Sequence, residues 1–178
     1  MRWRDLVRAS DLQAVRRLVE STSFFSSAEQ DIAVELVDEA LSKGKLSGYE
    51  FIFADAGRGD GVLHGYACFG PIPSRPGAFD LYWIAVSPKH QGRGLGKKLL
   101  REAEHRAAVQ GAIEMYIDTS GRSQYQPTRA FYERAGYRTW DIFPDFYFPG
   151  DDKVVYRKRI GAGPAVAIGG QSSVNQRR

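Results

Sequence analysis

Residues 91–96 read Gln91-Gly92-Arg93-Gly94-Leu95-Gly96, a basic, glycine-rich turn. Before it runs an apolar strand, Leu81-Tyr82-Trp83-Ile84-Ala85-Val86, closed by Ser87-Pro88. An amphipathic helix follows. Such a turn offers a row of backbone N–H groups at a helix N-terminus, where a pyrophosphate binds well. Glycine is needed where the backbone must approach a phosphate without a Cβ. The spacing excludes two phosphate motifs. Walker A needs four residues between its glycines and then Lys-Ser/Thr, but Lys97 is followed by Lys98. The dinucleotide fingerprint needs G-x-G-x-x-G and an acidic residue that ends a second strand about 20 positions later; this chain has G-x-G-x-G and no acidic residue so placed.

A third pattern, Gln/Arg-x-x-Gly-x-Gly/Ala, is matched in full by Gln91, Gly94 and Gly96. With Val86-Ser87-Pro88 before it, this resembles the acetyl-CoA loop of the GNAT superfamily of acyl-CoA N-acyltransferases. A second segment, Phe131-Tyr132-Glu133-Arg134-Ala135-Gly136-Tyr137, resembles that family's F-Y-E-x-x-G-F/Y signature. The resemblance implies an N-acetyltransferase. Acetyl-CoA is its co-substrate, with no metal, and a primary amine attacks the thioester directly in a ternary complex. Cys68 lies away from both motifs, so no covalent enzyme intermediate is expected.

The resemblance assigns roles. The cofactor side is Gln91, Gly92, Arg93, Gly94, Leu95, Gly96 and Lys97. The strand before the loop pairs with the pantetheine arm, and an N–H from Ile84, Ala85 or Val86, with Val86 the one singled out, polarises the thioester carbonyl. Tyr132 stands near the coenzyme sulfur. Many relatives carry Asn and Ala seven and four residues before this tyrosine. This chain has Tyr125 and Thr128, which take those places beside the cofactor. Asp80 occupies the position where histone-type relatives carry a glutamate base; a solvent-facing carboxylate at a strand start is the other reading.

A base matters in proportion to the amine. A lysine amine holds its proton by roughly 3.4 units at pH 7, near 4.6 kcal/mol, whereas an α-amine needs only about one unit. On the substrate side, Phe24 and Phe25 lie in the break between the first two helices. The stretch Phe146-Tyr147-Phe148-Pro149-Gly150-Asp151-Asp152 is similar to the Tyr-Tyr-x-x-Gly-Glu-Asp loop of protein N-terminal acetyltransferases. Tyr147 is the residue singled out there. The acceptor is a peptide or protein amine, or a small amine. His64, His90 and His105 show no metal spacing.

The elements that must position these groups follow from the pattern of apolar residues. The order β-α-α-β-β-β-α-β-α-β-β predicts an α/β fold of the GNAT type. Its mixed sheet has about six or seven strands, four flanking helices, and a splay between strands 4 and 5. Ser10 with Gln13 reads as a capping box for the first helix. Gly57–Gly61 reads as a hairpin turn, and Gly136 as a left-handed helix cap. The final strands are expected near Tyr137–Phe143 and Val154–Arg159, with a loop between. Residues 1–160 form one acetyltransferase domain, and 161–178 a disordered tail.

Composition narrows the class. The chain has 178 residues, 43% hydrophobic and 26% charged, as in an ordinary globular protein. No apolar run reaches the roughly 18 residues of a membrane span. One cysteine rules out an internal disulfide and suits a cytoplasmic setting. The net charge is +4, with Lys89, Arg93, Lys97, Lys98 and Arg101 crowded on the loop. That clustering favours a phosphate-rich ligand over nucleic acid. A non-catalytic acyl-CoA sensor is the alternative function; it needs the loop but neither Tyr132 nor an acidic pocket. A homodimer is compatible with the fold, which often pairs through edge strands.

Overall fold

The computed structural model describes residues 1–57 and 61–161. Residues 58–60 of the expected hairpin turn, and 162–178 of the expected tail, lie outside the described residues. Among the described residues, seven strands form one sheet in the order β1-β2-β3-β4-β5-β7-β6. They are β1 (Arg2–Arg4), β2 (Glu50–Asp55), β3 (Leu63–Pro71), β4 (Ala78–Val86), β5 (Glu114–Ser120), β6 (Arg138–Phe148) and β7 (Asp151–Arg159). Four α-helices accompany them: α1 (Ser10–Ser21), α2 (Ser27–Lys43), α3 (Leu95–Val109) and α4 (Gln126–Arg134). Among the described residues, β4 and β5 pair in parallel and every other neighbouring pair is antiparallel. The architecture matches the α/β fold expected from the element order.

Period-two alternation divides the sheet's side chains between two cores. Ile52, Ala54, Ala67, Phe69, Phe79, Leu81, Met115 and Ile117 face Leu95, Leu99, Leu100 and Ala103 of α3, with Tyr132 of α4 in the same cluster. Phe51, Phe53, Tyr66 and Cys68 face Ala14, Val15, Leu18 and Val19 of α1 and Ala33 and Val37 of α2. Helices on both faces explain why β3 is a nearly unbroken apolar run. Cys68 is fully buried in the second core, and burial pushes its thiol well above the usual range. It is a structural residue.

Two local readings are corrected. No side chain caps α1, whose N-cap position is Ala9. The reciprocal capping box sits instead at α2, where Ser26 accepts from the Glu29 amide and the Glu29 carboxylate accepts from the Ser26 amide. The last hairpin is also longer than expected. β6 continues through Phe148, and β7 starts at Asp151. Register shifts carry β6 past Pro144 and Asp145, the latter at φ +52°. Gly136 has φ +92°, the left-handed cap that its position after α4 implied.

Candidate active site

The parallel pairing of β4 with β5 is brief. It joins Ala78, Phe79 and Asp80 to Glu114, Met115 and Tyr116, and then stops. From Leu81 to Val86 the β5-facing edge of β4 carries no partner strand among the described residues. Its other edge stays paired, with Tyr66 opposite Ala85 and Gly65 opposite Val86. The Ser87 amide donates to the His64 carbonyl of β3 at 2.9 Å. Alternation along the strand then turns the Ala85 amide toward β3 and the Ile84 and Val86 amides into the gap. Of the three candidates for the carbonyl-polarising donor, Ile84 and Val86 are thus presented to the gap, and Ala85 is not.

The loop begins where β4 ends. Ser87 accepts from the amides of His90 (2.8 Å) and Gln91 (3.2 Å), which folds the chain into a single tight turn. Gln91 Nε2 donates to the Val86 carbonyl at 3.0 Å. Gly92 and Gly94 have φ +69° and +79°, a region that L side chains rarely adopt. Among the described residues, no acceptor meets hydrogen-bond geometry for the amides of residues 92–97. The first bond of α3 runs from the Lys98 amide to the Gly94 carbonyl at 3.1 Å. Leu95 is buried and anchors the helix start, while Arg93 and Lys97 are exposed. Free amides, a 15-residue helix aligned behind them and an exposed basic rim fit a diphosphate.

Gly96 has a different role from its two neighbours. Its φ is ordinary, and a Cβ there would meet Phe131 at 3.6 Å and Val86 at 3.7 Å. It marks the close approach of α3 to α4 and β4. That contact brings the second motif to the loop. Tyr132 on α4 is 5% exposed, beside Phe131, Tyr137 and Tyr156 at ring-centroid distances of 5.3, 6.0 and 6.1 Å. Burial alone raises its phenol well above the usual value. It is therefore a neutral hydroxyl at any working pH, fit to donate but not to act as a base.

On the far side of the gap lies an acidic, aromatic surface. Asp80 is the last residue of β4 paired to β5, so its carboxyl stands where the strands part. Burial pushes that carboxyl up to about 6, the charge of Asp118 adding to the rise and Lys153 opposing it. Lys153 itself is paired to Asp118 at 3.2 Å. Tyr147 on β6 is 39% exposed. Burial and the carboxylates Asp118, Asp151 and Glu29 push its phenol up to about 12. Phe25 packs on Trp83 of β4 at 4.9 Å, and Phe24 on Tyr125 at 4.8 Å.

Tyr125 is bound into this surface. Its hydroxyl donates to the Glu29 carboxylate, and the Arg122 guanidinium lies over its ring at 5.5 Å. Arg122 also pairs with buried Asp151 at 2.9 Å, and Ser120 Oγ donates to the same carboxylate. A connected polar set thus joins the α1–α2 turn, the β5–α4 turn and the last hairpin. Thr128, one turn before Tyr132, is partly exposed on α4. Glu29 and Trp83 are site residues that sequence reasoning missed. Ser26-x-x-Glu29 was a visible capping-box signal for the first. No comparable signal marked Trp83. Among the described residues no cluster of His, Cys, Asp or Glu could hold a metal, and no helix is long and apolar enough to cross a membrane.

A splayed β4–β5 pair with a free-amide loop at its open end defines a coenzyme A-dependent acyltransferase. The family model described as "Acetyltransferase (GNAT) family" matches residues 19–137, and the chain belongs to that family. It is an N-acetyltransferase that takes its acetyl group from acetyl-CoA. A GNAT-family structure from Desulfovibrio desulfuricans is similar at 46% identity and a TM-score of 0.85, covering 89% of this chain and 98% of that one. The N-acetyltransferase YvbK of Bacillus subtilis, whose activity is uncharacterised, is 28% identical over 73% of this chain and 76% of its own. The ribosomal-protein-S18-alanine N-acetyltransferase of Escherichia coli shares the fold at 18% identity and a TM-score of 0.68, covering 93% and 97%.

Proposed function

We propose that this enzyme acetylates a cationic primary amine of modest basicity, such as the α-amine of a peptide or a comparable small amine. The carrying observation is Asp80, half-buried where β4 and β5 part, with its carboxyl pushed up to about 6. At neutral pH it is largely ionised and able to take a proton. The gap to an α-amine is about 2 units, or near 3 kcal/mol; to a lysine it exceeds 4 units. The α-amine is the acceptor this base serves better. The acids Asp118 and Asp80 attract the ammonium, and Phe24, Phe25 and Tyr147 offer it apolar walls. The E. coli relative named above for acetylating an alanine of a ribosomal protein is a case of such an acceptor on this fold.

In this reading the amides of residues 92–97 hold the diphosphate. The Val86 N–H, with Ile84 below it, serves the thioester carbonyl as an oxyanion donor. Asp80, directly or through one water, takes a proton from the ammonium. The freed nitrogen attacks the carbonyl carbon and the C–N bond forms; as the tetrahedral adduct collapses the C–S bond breaks, and the nitrogen's second proton passes to the departing thiolate. Tyr132 supplies a hydroxyl for the departing sulfur. The test is thiol release from acetyl-CoA across a panel of peptides with free or blocked N-termini, lysine analogues and small amines. The proposal expects turnover with free α-amines and strong loss in Asp80→Asn. Tight coenzyme A binding with no turnover of any amine would make the chain a sensor instead.

A further inference from the structure

Helices α1 and α2 cover one half of their face of the sheet. Among the described residues, the apolar core beneath them draws on β2, β3 and β4 and holds no residue of β5, β6 or β7. Met115 and Ile117 of β5 and Val154 and Tyr156 of β7 point the other way, into the α3–α4 core. Alternation therefore sets Tyr116 and Arg157 on the α1–α2 face, beyond the helices, where Tyr116 packs with Ala78 and Val155. A row of directly paired residues crosses this face outward from the site. Asp80 stands beside Tyr116, Tyr116 beside Arg157, and Arg157 beside Arg138. Neighbouring strands are about 4.8 Å apart, so the Arg157 backbone lies on the order of 10 Å from that of Asp80.

The two ends of the row differ in charge. The inner end has Asp80 and Asp118, with Lys153 held on Asp118 at 3.2 Å. The outer end has Arg75, Arg138 and Arg157 against Glu114 and Asp141. Glu114 is shared: Arg157 bonds it, and Arg75 lies 3.7 Å away. The Arg157 guanidinium also lies over the exposed Trp140 ring at 4.1 Å. Stack and ion pair fix its plane, and among the described residues no second acceptor bonds its fork. A fixed planar fork with spare N–H groups suits a carboxylate.

We infer that Arg157, with Arg75 beside it, is a specificity residue that reads an acidic side chain at the second or third residue of an acceptor peptide whose α-amine sits at Asp80. Such recognition rests on the α-amine acceptor argued above. The lengths agree. Two steps of extended chain span about 7 Å, and an Asp or Glu side chain supplies the remainder. The charges agree as well, since an ammonium at the acidic end and a carboxylate at the basic end fix one direction of binding. A lysine at the same place in the acceptor would instead meet the arginines and be rejected.

The experiment is thiol release from acetyl-CoA with matched peptides on the full chain. Each peptide has a free N-terminal alanine and a neutral sequence, with one Glu at the second, third or sixth position, or one Lys at the third. The proposal expects kcat/KM for Glu at the second or third position to exceed the neutral peptide by about fivefold and the Lys peptide by about tenfold or more, with no gain from Glu at the sixth. Arg157→Gln and Arg75→Gln, made separately, should each bring the ratio of acidic to neutral peptide toward one, the change falling on the peptide KM. Circular dichroism and coenzyme A binding like the parent's exclude misfolding. Turnover of free α-amines with no preference for an early acid overturns the proposal and leaves the α-amine reading standing. A preference that both folded variants keep intact overturns it as well. Turnover of no free α-amine removes the α-amine reading, and this one with it.

Discussion

The side chain of Gln91 donates from Nε2 to the carbonyl oxygen of Val86 at 3.0 Å, across the end of β4. The bond occupies the last carbonyl on the gap side of the strand and fixes the loop entrance to it. The Val86 amide, on the same edge, stays free. Replacing Gln91 by alanine removes one exposed hydrogen bond, a change of about 0.5–1.5 kcal/mol. We expect a two- to tenfold rise in the KM for acetyl-CoA, with thermal stability nearly unchanged. Steady-state kinetics beside a thermal melt checks both halves.

The three loop glycines should separate by backbone conformation. Gly94 lies at φ +79° with open space around a Cβ, so Gly94→Ala is opposed by backbone strain and not by a clash. Strain of about 1–2 kcal/mol should lower coenzyme A affinity roughly tenfold. Gly96 has an ordinary helical φ, and its added methyl would find contacts near 3.6 Å. Gly96→Ala should keep affinity within about twofold and leave the helix slightly more stable. Calorimetric titration of both variants with coenzyme A decides the matter.

Much of this was legible before any coordinates. An apolar strand, a glycine turn and an amphipathic helix are local signals, and the splay followed from the family pattern they match. The structure adds what depends on distant partners. Glu29 meets Tyr125 across 96 positions, and no local pattern encodes that bond. The same bond gives Tyr125 a structural duty beside any contact with the cofactor. The last hairpin departs from its sequence pattern for a different reason. Pro144 cannot donate to a ladder and Asp145 sits at positive φ, so this stretch reads as a loop, yet β6 continues through it with shifted register.

Tyr125 gives a prediction with a definite pH signature. Burial raises the Glu29 carboxyl, but the hydroxyls of Tyr125 and Ser26, the Ser26 amide and the Arg122 charge outweigh it, and the net value is lowered. A carboxylate lowered in the fold stabilises it above its unfolded value, and that contribution fades as pH falls through the folded one. Tyr125→Phe should therefore lose about 1–2 kcal/mol at neutral pH, a difference that shrinks as pH falls through the lowered carboxyl value. Denaturant melts at neutral pH and in acid measure the difference.

Tyr132 should behave as an orienting hydroxyl. Its environment is apolar, and no side chain among the described residues hydrogen-bonds it. Tyr132→Phe leaves no partner stranded, so stability should hold within about 0.5 kcal/mol. The loss should fall on kcat, by roughly three- to thirtyfold, with the acetyl-CoA KM little changed. A rate independent of leaving-group pKa in both proteins, measured with acyl thioesters of graded acidity, would remove the sulfur from its duties.

Asp80 carries the largest expected effect and couples stability to activity. Its carboxyl is raised to about 6, so the folded state resists ionising it. The sign follows directly: the fold is favoured by this group below its unfolded value near 4, and that favour is lost as pH rises through 6. At pH 8 the ionised side chain is a net burden, worth about 1–2 kcal/mol once screening by the nearby solvent is allowed for. Asp80→Asn should thus melt higher than the parent at pH 8 and level with it at pH 4. Activity should move the other way. The parent's kcat/KM should climb with pH through about 6, and the variant should lose this limb together with 10²–10⁴ of its rate. Gain of stability with loss of that limb marks a strained base, whereas a fall in both would make Asp80 a packing residue at the strand junction.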